Sequence, residues 1–548
     1  MSVFIGYPSF MAYQMMKGKK GNNDDFPSIT GMIARYSASG LTNEQMAANP
    51  VWVDKTGNGH DIQLKNFSWK RMSGVGGYVQ DFNDFRNNAT VAKIRIDEQS
   101  SNSIKVTILT TGIRNAIYIP KNIYQFNKSY FIKISSEGYD EGDMALSFYA
   151  PPTSTATTVT VSLNPNGITE IPAIKKDDFL AVYINVSGKV GSFTVEQLPL
   201  YPGALVFDGV DDYGTCDNFP ILTKEKGYTV VALRQYLVDK STAYLTANGD
   251  SISNTSFILE GNNYRDTWNF GKATAIQASR ILATQTSKQY DGVKLNIGTN
   301  AEGSNLLQVG KWSKSYSNVA IWELVFLDHD ATEEELTKIK DYFIKTYSWL
   351  FPDQAWTVTG KTNEDEDRAT IANITGNGND LVCLNLGFIE GSGYNEEGEY
   401  AGYLVTDRVD DKITSSTFEM GNDWTVIGDW ELINTGKNDN AGIVKFDGIV
   451  IYNYNPILIN IKNGRNNLIP DQNTVNAICS DGRIYSKDWK ESIYNEETES
   501  TSKNLLTIGY SGNRYTKIAF KNLAIYPTVL SKEDCIKAYN YLQTLKAK

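Results

Sequence analysis

The feature that most constrains this chain is that it contains one long unit twice. Leu306-Leu307-Gln308-Val309-Gly310 returns as Leu505-Leu506-Thr507-Ile508-Gly509, and the acidic turn Val210-Asp211-Asp212 returns as Val409-Asp410-Asp411, each 199 positions later. An earlier signature, Thr56-Gly57-Asn58-Gly59-His60-Asp61, returns as Thr375-Gly376-Asn377-Gly378-Asn379-Asp380, but 319 positions later. The two separations differ by 120 residues. The first copy therefore carries an extra block of that size between its opening signature and its acidic turn. Solenoid repeats have periods of about 20–50 residues, so units this long are a duplicated domain.

The chain divides into an N-terminal arm (1–30), a first unit in two pieces (31–80 and 201–350), an inserted block (81–200) and a second unit (351–548). Turn residues recur at about every ten positions, the rhythm of an all-β chain. Within the block, Ala92-Lys93-Ile94-Arg95-Ile96, Ser103–Ile108, Thr158–Val161, Leu180–Ile184 and Ser192–Val195 alternate apolar and polar residues with β-branched enrichment, the pattern of half-buried strands. Such short strands, roughly eight of them with no helix between, predict an inserted β-sandwich. Each copy closes on a strand and then a helix. Thr332 and Glu335 have capping-box spacing, with Leu336, Ile339 and Phe343 as the buried stripe. Ser531 and Asp534 stand in the same places in the second copy, with Ala538 and Leu542 on the stripe.

A net charge of −11 without a basic stripe argues against nucleic acid. Cys216, Cys383, Cys479 and Cys535 form no CxxC pair and read as thiols, consistent with assembly in a reducing cytoplasm. No apolar run reaches the roughly 18 residues that span a bilayer. The N-terminus lacks the basic and apolar regions of a secretion signal. Instead Phe4, Tyr7, Phe10 and Tyr13 stud an aromatic segment followed by Lys17-Gly18-Lys19-Lys20-Gly21-Asn22-Asn23. This reads as an arm that orders on a partner.

Taken together, the Thr-Gly-Asn-Gly turn, the strand-turn Leu205-Val206-Phe207-Asp208-Gly209-Val210-Asp211-Asp212-Tyr213 and the late Leu-Leu-x-Val-Gly strand resemble the concanavalin A-like, laminin-G-like jelly roll. The second copy departs at Thr406 and Arg408, where the first has Phe207 and Gly209. The expected fold is thus all-β: duplicated jelly rolls, each ending in a short helix, with a β-sandwich inserted in the first. A narrower resemblance is to virion surface proteins of crAss-like Bacteroides phages. It rests on Ile33-Ala34-Arg35-Tyr36-Ser37-Ala38, Gly59-His60-Asp61, Met72-Ser73-Gly74-Val75-Gly76-Gly77-Tyr78 and Glu196-Gln197-Leu198-Pro199-Leu200-Tyr201-Pro202. What it implies is a head fibre or capsid decoration, with a tail fibre as the alternative, assembled in the bacterial cytoplasm and displayed on the particle.

His60 and His329 are the two histidines, and neither sits in a zinc or triad motif. His60 is matched by Asn379 in the second copy, which suits a turn residue better than a catalytic one. Asp211-Asp212 and Asp410-Asp411 are the recurring carboxylate pairs. Adjacent strand residues point to opposite faces, so the pairs are expected to diverge and to serve the turn, with calcium contact and catalysis as lesser readings. Glu364-Asp365-Glu366-Asp367 reads as a solvated loop. Calcium needs about six to eight oxygens. Asp54, Asp61 and the acidic turns could supply some, although the sequence places no site and implies no other cofactor. For sugar contact the candidates are Tyr264 and Trp268 in the first copy and Tyr452 and Tyr454 in the second, because aromatic faces stack on sugars beside amides that read hydroxyls. Ordinary strand packing accounts for the same residues.

The expected function is non-enzymatic: a virion surface protein anchored to capsid or tail proteins by its arm. Its outer units would adhere weakly to host or mucosal glycans, strengthened by copy number. A dimer is the expected assembly and a trimer the alternative. A polysaccharide depolymerase on the same fold and a purely structural decoration are the competing readings.

Overall fold

The computed structural model describes residues 25–87, 93–112, 115–150, 158–175, 179–223, 225–237, 243–251, 254–255, 258–261, 282–287, 304–433, 441–446, 449–453, 458–461, 465–468, 475–493, 504–511 and 514–547. They form an all-β molecule of two jelly rolls and an inserted β-sandwich. The first jelly roll pairs two six-stranded sheets. One holds Met32–Ser37, Gly74–Val75, Leu205–Asp208, Thr229–Tyr236, Leu282–Thr286 and Asn318–Leu327; the other holds Val51–Trp52, Ile62–Lys65, Tyr213–Cys216, Ala243–Asn248, Ile258–Gly261 and Leu307–Val309. Helix α1, Asn43–Ala48, is capped by Thr42, whose side chain accepts from the Gln45 N–H. The second jelly roll repeats the plan with two eight-stranded sheets.

The strand Asn318–Leu327 is buried along nearly its whole length, because it has a core on each face. Leu324 and Phe326 enter the core between the sheets, with Trp52, Phe207 and Leu245. Val325 and Leu327 point the other way, towards Ile339 and Phe343 of helix α2, Glu333–Thr346. Strand periodicity of two sorts the residues, and apolar side chains on both faces make the strand central. Its counterpart Ile518–Tyr526 does the same, with Phe520 and Leu523 in the second intersheet core and Ala524 and Tyr526 against helix α3, Lys532–Gln543. The α2 capping box is complete. In α3 the Ser531 hydroxyl caps the Asp534 N–H, while no return bond reaches the Ser531 backbone. Aspartate is one methylene shorter than glutamate.

The inserted sandwich has two five-stranded sheets, so ten strands replace the roughly eight expected. Those missed include Asn115–Pro120 and Ile168–Ile171, short runs whose alternation is broken by Asn, Pro or Thr-Glu.

One apolar cluster joins the three units. It gathers Phe131 and Ile168 from the insert, the outer face of the first helix-bearing sheet, α2, the connector residues Trp349 and Leu350, and the helix-bearing face of the second copy. Phe131 meets Tyr539 at 5.5 Å and Trp349 meets Tyr541 at 5.8 Å, both edge to face. The two jelly rolls thus bury their helix-bearing faces in a common core. Their other sheets do not contribute to that cluster.

Candidate functional site

The repeated signatures build the same turns twice. In the first copy Asp54 Oδ1 accepts from the Arg35 N–H at 3.1 Å and the Thr56 N–H at 3.0 Å, and Asp61 Oδ1 accepts from the Asp54 N–H at 2.9 Å. In the second, Asn373 Oδ1 accepts from Ala355 and Thr375, and Asp380 Oδ1 accepts from Asn373 at 2.8 Å. Asn58 and Asn377 each donate at 2.8 Å to a backbone carbonyl, of Ile33 and Asp353. An amide oxygen replaces a carboxylate oxygen at the centre and keeps its two backbone bonds, while Asp54 Oδ2 accepts from Thr56 Oγ1 and Asn373 Nδ2 donates to the Gly378 carbonyl. Hydrogen-bond acceptance there, rather than charge, is what the turn requires.

His60 belongs to this turn. Its carbonyl accepts from the Tyr36 hydroxyl, and its ring stands edge-on to Phe219 at 5.5 Å. Asn379 takes the same place, with its carbonyl accepting from Trp356 Nε1 at 2.9 Å. His329 bridges Asp328 and Glu335 beside the start of α2.

The acidic turns also recur in detail. Asp208 Oδ1 accepts from the Val210 N–H at 2.7 Å, and Asp407 Oδ1 from the Val409 N–H at 2.7 Å. Asp212 accepts from Ser73 Oγ at 3.0 Å and the Asp208 N–H at 2.9 Å. Asp411 accepts from Ser392 Oγ at 2.8 Å and the Asp407 N–H at 2.7 Å. Asp212 and Asp411 are fully buried, and burial pushes their carboxyls up to about 7 and about 6. Asp211 and Asp410 are exposed.

The expected divergence of the paired acids needs correction. One oxygen from each of Asp208, Asp211 and Asp212 lies within 4.8 Å of the others, and Asp407, Asp410 and Asp411 match them. The pairs lie on a turn, where strand alternation does not apply, so the side chains differ in burial and still converge. Each cluster has ligand atoms for a cation. The buried member, however, is occupied by a serine and a backbone amide, and calcium would need about six to eight oxygens in all. Asp54 and Asp61 are likewise committed to backbone amides. In the run 364–367, Asp365 accepts from Thr362 and Asp367 pairs with Lys361 at 2.9 Å. All four cysteines are buried and free.

Phe4, Tyr7, Phe10, Tyr13, Tyr264, Trp268 and Tyr454 lie outside the described residues. Tyr452 lies in the strand Ile449–Asn453, paired with Leu458; its side chain is also outside them. The root of the arm is placed. Phe26 covers the Arg35 guanidinium at 4.0 Å and meets Tyr342 at 4.8 Å, and Asp25 pairs with Lys345 at 3.1 Å. The sequence pattern had not singled out a further feature, a small cleft of about 10 Å³ in the second copy where Gln354, Phe418, Met420 and Trp424 meet.

No family model matches the chain, and no curated protein matches it. Among solved structures, a Trypanosoma rangeli sialidase in complex with sialic acid aligns at 9% identity over 83% of this chain and 85% of that chain, with a TM-score of 0.26. In two other structures of that sialidase the match spans only 41% and 40% of the sialidase chain. The CBM22-1–CBM22-2 tandem domain of Paenibacillus barcinonensis Xyn10C aligns at 9% identity over 49% of this chain and 96% of that chain, with a TM-score of 0.14. The botulinum neurotoxin serotype D binding domain aligns at 10% identity over 92% and 98%, with a TM-score of 0.15. At these scores no argument about activity passes from any of them to this chain.

Proposed function

We propose that the chain is a phage virion surface protein, a head fibre or capsid decoration. In this reading the arm holds it to the particle and the jelly rolls adhere weakly to host or mucosal glycans without cleaving them. The observation that carries it is the division of faces. Both helix-bearing faces, joined by Phe131 and Ile168 of the insert, are buried in one apolar core, which leaves the opposite sheets of both copies for display. Pinning of Phe26 on Arg35 and Tyr342 gives the arm a fixed point of departure beside α2. A body on a tether suits presentation of weak sites in many copies, where effective concentration multiplies affinity. The family resemblance supplies the virion; the recurring carboxylates, held by turn amides, favour a scaffold over hydrolysis. Among the described residues no helix is long and apolar enough to cross a membrane.

The test is cryo-electron microscopy of particles carrying the full chain or a chain lacking residues 2–24, which keeps Phe26. Density on the wild-type particle that vanishes with the truncation is expected. Density that persists overturns the arm as anchor; none on the wild type overturns the virion assignment.

A further inference from the structure

Two of the four cysteines face each other. Cys216 lies in the first intersheet core and Cys383 in the second, whereas Cys479 and Cys535 both lie in the common core that joins the units. Both are 0% exposed. The backbone brings them together in three steps. Cys479 ends the strand Val475–Cys479 opposite Thr425, with its sulfur 3.8 Å from Thr425 Oγ1. Thr425 Oγ1 also accepts from the Leu530 N–H and donates to the Thr528 carbonyl, both at 2.9 Å, which ties the approach to helix α3 to the same strand end. Ser531 then caps the helix, and Cys535 is its fourth residue. There the Cys535 thiol hydrogen-bonds the Cys479 sulfur.

The first copy builds the same staple without either cysteine. Thr229 Oγ1 accepts from the Ala331 N–H and donates to the His329 carbonyl, both at 2.8 Å. Thr286 stands opposite Thr229, and Leu336 is the fourth residue of α2. The two cysteines thus occur together in one copy and are both absent from the other, in a chain with four cysteines among 548 residues. Packing does not call for sulfur at these places, since threonine and leucine serve in the first copy. What a facing pair of thiols adds is reactivity. The hydrogen bond from Cys535, with the Arg483 guanidinium nearby, holds the Cys479 thiol below its usual range, while the same bond and burial push Cys535 up. Cys479 is therefore the nucleophile of the pair.

We propose that Cys479 and Cys535 are a latent disulfide, which fastens helix α3 to the strand Val475–Cys479 once the chain leaves a reducing compartment. The oxidant is a low-molecular-weight disulfide such as glutathione disulfide. The Cys479 thiolate attacks one of its sulfurs and releases the first glutathione thiolate. Cys535 gives its proton to solvent, attacks the Cys479 sulfur of the mixed disulfide and releases the second. Two protein thiols are oxidised to one S–S bond and one small disulfide is reduced to two thiols. An S–S bond is about 2.0 Å long, so the first turn of α3 has to open to admit the oxidant and then settle closer to the strand. The pairing rests on this geometry alone. Its timing, thiols during assembly in the cytoplasm and a disulfide on the released particle, rests on the surface-protein reading above.

The full chain is purified reduced, incubated with glutathione disulfide in urea below the onset of unfolding, then denatured and alkylated. Expected is a fall from four alkylated cysteines to two, with peptide mapping joining Cys479 to Cys535, reversal by dithiothreitol, and a thermal midpoint higher oxidised than reduced. Cys479→Thr/Cys535→Leu, which installs the first copy's residues, should give two alkylated cysteines with or without oxidant and no shift of midpoint. Four alkylated cysteines after prolonged oxidation, a lasting glutathione adduct on either residue, or a bond to Cys216 or Cys383 overturns the proposal. These outcomes are read on the wild-type chain and stand even if the variant misfolds. Particles isolated without reductant and alkylated at once test the timing, and the Cys479–Cys535 bond is expected on them. Reduced thiols on particles overturn the timing and leave both the pairing and the surface reading intact; particles without the chain overturn the surface reading alone.

Discussion

Arg35 and Glu323 offer a sharp test, because the molecule contains its own control. Arg35 is 4% exposed and Glu323 is 0% exposed. Arg35 Nε lies 3.2 Å from Glu323 Oε2, and Arg35 also donates to the Tyr342 hydroxyl at 2.9 Å; Tyr347 donates to Glu323 Oε1 at 2.8 Å. Strand register equates Arg35 with Ala355 and Glu323 with Asn522. The second copy thus folds with a methyl and an amide in place of the pair. Arg35→Ala strands a buried carboxylate, and breaking one side of a buried pair costs about 3–5 kcal/mol. Arg35→Ala/Glu323→Asn recreates the second copy's chemistry and should recover most of that loss, leaving about 1–2 kcal/mol for packing and the cation–π contacts to Phe26 and Tyr342.

The single variant should also be sensitive to pH in a definite direction. Burial raises the Glu323 carboxyl, and Arg35 is the main influence pulling it down. Removing Arg35 raises it further. A carboxyl with a raised folded-state value is stabilising when protonated and loses that stability as pH rises through the value. The deficit of Arg35→Ala should therefore grow from pH 5 to pH 8, while the double variant should show little of that slope. Urea denaturation at the two pH values, with a thermodynamic cycle, reads both effects. If the double variant is no more stable than Arg35→Ala, or the single variant's deficit does not change with pH, the pair is not held by mutual neutralisation and the reasoning fails.

Two further predictions concern the acidic turns. With its carboxyl pushed by burial up to about 7, Asp212 binds its proton more tightly folded than unfolded. Its contribution falls as pH rises from about 4 to about 7, by up to about 1.4 kcal/mol per pH unit. Asp212→Asn, which can still accept from Asp208 and donate to Ser73, should flatten that segment of the stability profile; an unchanged slope assigns the titration elsewhere. Arg408 holds φ 74°, in the left-handed region occupied by Gly209 at φ 75° in the first copy. Arg408→Gly should stabilise by about 1 kcal/mol, whereas Gly209→Ala should cost more than the backbone term alone, since its Cβ would lie 2.7 Å from Asn318 Cβ. Thermal unfolding of the pair decides, and a destabilised Arg408→Gly would show that the arginine side chain holds the turn.

The duplication, the inserted sandwich and the two capped helices were legible because each leaves a local mark: a repeated string, period-two alternation, or Thr and Glu three residues apart. The turns were legible as turns, while their internal geometry was not. Whether Asp211 and Asp212 converge depends on backbone angles at Gly209 and on a serine from residue 73, far away in sequence. The common core escaped the sequence reading for a related reason. Apolar residues on the outward face of Asn318–Leu327 do not say which unit covers them, so Phe131 and Tyr539 could not be paired in advance.

The two copies show how duplicated jelly rolls diverge. Several positions that both copies bury between their sheets keep their class, Phe219 and Phe418, Tyr228 and Trp424, Leu307 and Leu506, although buried Phe207 becomes Thr406. Turn-forming acceptors keep their geometry even when Asp54 becomes Asn373. Change also reaches buried strand positions, where Ala34 of the first intersheet core gives way to Gln354. A buried amide in place of a methyl is tolerated there because its oxygen accepts from Asn373, so the second copy exchanges an apolar contact for a hydrogen bond.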